Sequence, residues 1–101
     1  REILRIPSVS TDPAHDADVQ AAADWFVDAF RELGFESEAV KTTGHPVVLA
    51  SCPAPEGRPT ILYYGHYDVQ PEDPLDEWRT PPFEPKPTVR KTTYLKNAQG
   101  E

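Results

Sequence analysis

The residues of this chain best suited to chemistry are His66 and Asp68, which stand two apart in Gly65-His66-Tyr67-Asp68. Along an extended backbone, residues two apart face the same way, so the imidazole and the carboxylate project together. A neutral imidazole binds zinc through one nitrogen and donates its other N–H to a carboxylate, which fixes the tautomer and strengthens the donor. Bare Gly-His-x-Asp reads either as such a metal site or as a hydrogen-bonded pair at the end of a strand. Gly65 permits close approach of a ligand or a second backbone, and Pro71 ends the extended run.

The remaining candidates have simpler readings. His15, in Pro-Ala-His-Asp-Ala-Asp, belongs to a solvated helix start, and His45 precedes Pro46 in a turn. Ser8 and Ser10 lack a Gly-x-Ser-x-Gly elbow and are read as cap or turn residues, which excludes serine hydrolysis. Cys52, the single cysteine, is expected to be buried at a strand end. Trp78, Pro81, Pro82 and Phe83 are expected to pack a long loop onto the domain, and the acidic residues of 72–77 make a wet loop.

The elements that must position His66 follow from periodicity. Asp16 and Asp18 suit the positive end of a helix, and Val19, Ala22, Ala23, Phe26, Phe30 and Leu33 recur at spacings of three and four. The spacing predicts a helix from about Asp16 to Gly34, with Asp24, Asp28, Arg31 and Glu32 on the wet side. Three strands are predicted after it, at 35–40, 47–51 and 60–64, joined by turns at 41–46 and 53–59. His66 falls at the carboxyl end of the third, where open α/β sheets place their ligands. The fold class is therefore α/β, one long helix and about three strands, incomplete because such a sheet needs more helices than the chain holds. An uncovered sheet face or edge predicts association or partial disorder of the isolated chain.

Composition narrows the function classes. Seventeen acidic against ten basic residues give a formal charge of −7 in 101 residues, which repels nucleic-acid phosphates and anionic lipid. No apolar run approaches the roughly 20 residues a membrane helix needs, and no basic-then-apolar leader opens the chain. One cysteine forms no internal disulfide and suits a reducing compartment, so a cytoplasmic location is expected and any metal must be held by His and carboxylates. The chain opens at Arg1 inside what reads as an ordered segment, and the expectation is a piece of a longer product.

Context sharpens the reading of His66. Tyr-Tyr-Gly-His-Tyr-Asp-Val-Gln-Pro at 63–71, Asp-Pro-Leu-Asp-Glu-Trp at 73–78 and Thr-Pro-Pro-Phe-Glu-Pro at 80–85 resemble the di-zinc metallopeptidase family of acetylornithine deacetylase, succinyl-diaminopimelate desuccinylase, carboxypeptidase G and the carnosine-type dipeptidases. The dipeptidase branch is the nearest in appearance. Ile-Pro-Ser-Val-Ser at 6–10, Ala-Ala-Asp-Trp-Phe at 22–26 and Leu-Gly-Phe at 33–35 fall in the family's order, so about 85 residues fit.

The resemblance implies that residues 1–101 are the amino-terminal part of a catalytic domain. It makes His66 a ligand of one zinc ion and Asp68 the catalytic-site acid that orients it. It further implies two zinc ions in the intact site, a bridging aspartate and a glutamate base. From Lys86 to Glu101 the chain departs from the family pattern, and a one-gap alignment sets Gly100 where the bridging aspartate belongs. The expected activity of the parent protein is hydrolysis of a dipeptide, or of another amide next to a free carboxylate. The chain alone is expected to be inactive, since catalytic zinc takes three protein ligands. A homodimer of the full-length protein is compatible with the resemblance. A metallo-amidase deacylating N-acyl amino acids, and a non-catalytic remnant or interaction module on the same scaffold, stay open as alternatives.

Overall fold

The computed structural model describes residues 1–87. The helix α1 runs Asp16–Glu32, as the acidic start and the glycine stop predict. A single turn of 3-10 helix, Pro13–His15, leads into it, with the Asp12 carboxylate accepting from the Ala14 N–H at 2.9 Å. Asp16 and Asp18 then lie in the first turn, where the helix dipole favours negative charge.

At its far end α1 closes in a Schellman motif. Gly34 takes φ +88°, its N–H reaches the Arg31 carbonyl at 2.9 Å, and the Phe35 N–H reaches the Phe30 carbonyl at 3.0 Å. The accompanying apolar contact is Phe30 on Phe35, with ring centroids 5.6 Å apart. The buried stripe is Val19, Ala22, Ala23 and Val27. Phe26 and Phe30 are half-buried, whereas Leu33 is exposed, because as the cap residue it lies beyond the face that packs.

Two of the predicted strands form. β1 (Glu36–Val40) and β2 (Val47–Ser51) pair antiparallel with Ala39 opposite Val48, and α1 packs against both. Half-buried Ser37, Ala39 and Val48 share one face of this hairpin. The other face shows Val40, Val47 and Leu49 to solvent. The third predicted strand, 60–64, pairs with nothing among the described residues, and Ile61, Leu62, Tyr63 and Tyr64 are 86 to 95% exposed. A β-strand is defined by its partner, and neither edge of the hairpin reaches this segment. Cys52 is exposed, contrary to the expected burial, because the chain leaves β2 at Ser51 and continues along the surface.

What ties the second half of the chain to the first is a parallel bridge between Val9 and Val69. The Val69 N–H donates to the Ser8 carbonyl at 3.0 Å, and Val9 is buried.

Candidate metal centre

His66 and Asp68 meet as their spacing predicts. His66 Nδ1 lies 3.0 Å from Asp68 Oδ1 and 3.1 Å from the Asp68 carbonyl oxygen, so both acceptors favour the tautomer with the proton on Nδ1. The imidazole side chain is 75% exposed, and among the described residues its hydrogen bonds involve Nδ1 alone. Nε2 is thereby left with its lone pair available to an electrophile.

Three anchors hold this loop. The Tyr67 ring packs 6.2 Å from Phe26 of α1, and its hydroxyl donates to the Pro46 carbonyl just before β2. Burial, with the Asp68 and Asp24 carboxylates nearby, pushes the Tyr67 phenol above its usual range, so it remains a donor at neutral pH. Ser8 Oγ donates to the Tyr67 carbonyl at 2.8 Å, and Ser10 Oγ donates to Asp68 Oδ2 at 2.7 Å. The Ser10 hydrogen bond is the main cause, and the His66 hydrogen bond a lesser one, of an Asp68 carboxyl held below the usual carboxylate range. Ser10 lies in the turn from Val9 to Asp12, as expected, and beyond that expectation the hydroxyls of Ser8 and Ser10 reach across to residues 67 and 68. Their alternation about buried Val9 is the only sequence signal of that role.

The other histidines stay apart from His66. His15 Nδ1 pairs with Asp18 Oδ2 at 2.7 Å at the start of α1, and His45 Nε2 donates to the Ser10 carbonyl at 2.8 Å. Trp78, Pro81 and Pro82 line a shallow, open depression with Leu75, and the Trp78 indole N–H donates to the Glu72 carbonyl at 2.8 Å, so the indole closes its own loop. Among the described residues no group of three or more His, Cys, Asp or Glu side chains comes together to hold a metal. The donor set therefore fits one coordination position, at His66 Nε2, and does not fit a whole catalytic centre. Gly100, and the departure that begins at Lys86, fall almost entirely outside the described residues.

Proteins similar to this chain are metallodipeptidases and desuccinylases. The Cys-Gly metallodipeptidase of Candida albicans is 34% identical over 96 residues, covering 82% of this chain and 20% of that protein. Its counterpart in Schizosaccharomyces pombe is 35% identical over 90 residues, 79% of this chain and 19% of that protein. The succinyl-diaminopimelate desuccinylase of an Azoarcus species is 42% identical over 58 residues, 57% of this chain and 14% of that enzyme. Over most of its length the chain is homologous to the amino-acid sequences of these metallodipeptidases, and over a shorter stretch to the desuccinylase. It spans about a fifth of the length of the metallodipeptidases it matches. No family model matches the chain, and no solved structure matches it.

Proposed function

We propose that the chain is the amino-terminal part of the catalytic domain of a zinc-dependent hydrolase, a dipeptidase or a related exopeptidase. Its substrates are dipeptides or other amides flanked by a free carboxylate. The observation that carries this reading is the Nδ1 to Oδ1 contact of 3.0 Å, which engages Nδ1 and leaves the other ring nitrogen of an exposed imidazole to face a metal ion. In this reading His66 is a zinc ligand, and Asp68 holds its tautomer and direction. Zinc supplies Lewis acidity toward the scissile carbonyl. The chain's own part is to keep the proton on Nδ1 and the ring aimed outward.

With one ligand in place, residues 1–101 by themselves bind zinc weakly and hydrolyse nothing at a useful rate. An exposed lone cysteine suits a reducing, cytoplasmic setting. The test is hydrolysis of Cys-Gly by the zinc-loaded full-length parent protein, not by residues 1–101 alone, with an N-succinylated amino acid as the comparison substrate. His66→Ala is expected to abolish turnover and weaken zinc binding; full activity in that variant would remove His66 from the site. Preference for the succinylated substrate would move the reading to a metallo-amidase.

A second reading, a scaffold that keeps the fold without the chemistry, is favoured by the lack of a three-ligand group among the described residues. The coding sequence beyond Glu101 separates the two. A continuing frame with paired aspartates supports the enzyme, and a stop codon supports the remnant.

A further inference from the structure

A carboxylate that touches its histidine through one oxygen is free to turn, because the terminal torsion of aspartate has a broad minimum. Asp68 is held through both oxygens: Oδ1 faces His66 Nδ1 at 3.0 Å, and Oδ2 accepts from Ser10 Oγ at 2.7 Å. We propose that Ser10 is a positioning residue for the histidine site, its hydroxyl fixing the plane of the Asp68 carboxylate and through it the tautomer and aim of His66. This rests on the reading of His66 as a metal ligand.

The hydroxyl can do this because its own place is determined. Residues 8–10 run beside 67–69 through the Val9–Val69 bridge and the bond from the Val69 N–H to the Ser8 carbonyl. Ser8, 2% exposed, clamps the Tyr67 carbonyl at 2.8 Å. His45 Nε2 donates to the Ser10 carbonyl at 2.8 Å, which adds a further hold on the backbone of Ser10. Joining the two segments is thus served by Ser8 and the backbone, and the Ser10 hydroxyl is directed at the carboxylate alone. Ser8→Ala is accordingly the control for loss of docking without loss of the carboxylate contact.

The test uses the protein labelled with nitrogen-15 at histidine, metal-free and above the ordinary titration range of imidazole, so that ring-nitrogen shifts report the tautomer directly. The unsubstituted protein is expected to show His66 with its proton on Nδ1. Ser10→Ala is expected to give a mixture of tautomers and to weaken zinc binding, measured by competition with a chromophoric chelator, by roughly tenfold, the lower end for loss of an outer partner. Ser10→Thr, which keeps the hydroxyl, is expected to restore both. Should Ser10→Ala fail to fold, Ser10→Cys replaces it, since a thiol is a weak donor of similar size. Unchanged tautomer and zinc affinity in the Ser10 variant, with both altered in Asp68→Asn, would overturn the role of Ser10 and leave His66 as ligand. Equal effects from Ser8→Ala and Ser10→Ala would reduce Ser10 to docking and overturn the proposal too. Zinc binding indifferent to His66→Ala would overturn the underlying site instead.

Discussion

An imidazole with three quarters of its side-chain surface in water takes its direction from whatever holds Nδ1, and here that is Asp68. Asp68→Asn keeps the shape but removes the charge and allows the amide to turn its nitrogen toward the ring. Zinc affinity of the protein is expected to fall by about 10- to 100-fold, the usual cost of losing an outer carboxylate, as read by chelator competition. The Asp68 carboxyl is held low by Ser10 and then by His66, so its contribution to stability is complete above the ordinary carboxylate value. That contribution is lost only as pH falls through the lowered one. The acid limb of thermal stability should therefore flatten in Asp68→Asn. The His66–Asp68 contact was legible in the sequence because it is local, a matter of two residues on an extended backbone. The contact from Ser10 was not, because 58 residues separate the partners and only the fold brings them together.

Local signals also decide how much of each element could be read. The acidic start at Asp16 and the stop at Gly34 mark α1, since both follow from dipole and φ requirements of the residues themselves. Gly34→Ala is expected to cost about 1 kcal/mol in chemical unfolding, the strain of an L side chain in the left-handed region. No atom crowds the added methyl, so strain alone sets that figure. At the other end of α1 the His15 imidazole is raised above its ordinary value, first by its hydrogen bond to Asp18, and also by the charges of Asp18, Asp12 and Glu72. A raised folded value means the stabilisation is complete below the ordinary value of 6.5 and is lost as pH rises through the folded one. Titration of His15 by NMR should show the raised midpoint, and Asp18→Asn should bring it back toward the ordinary range. The segment 60–64 was readable as strand-forming by composition, but pairing is a tertiary event, and no partner for it lies among the described residues.

At the scale of the molecule, one helix covers one face of a two-stranded hairpin, and among the described residues two apolar stretches in particular are left in water. Val40, Val47 and Leu49 form the first, and Ile61, Leu62, Tyr63 and Tyr64 the second. The radius of gyration is 18.9 Å, against about 13 Å for a compact chain of 100 residues. Two strands alone are marginally stable in water, and an unpaired extended run of apolar residues is a template for association. The 101-residue chain expressed by itself should therefore self-associate with rising concentration in light scattering. Because successive side chains of an extended segment point to opposite sides, one substitution leaves the other side apolar; Ile61→Lys and Leu62→Lys together charge both. The double variant should scatter as a monomer at concentrations where the unsubstituted chain does not, while helix content by circular dichroism stays unchanged, since α1 packs on the hairpin and not on 60–64. Identical scattering from the two chains would mean that association runs through Val40, Val47 and Leu49, and Leu49→Lys would then be the variant that dissociates it.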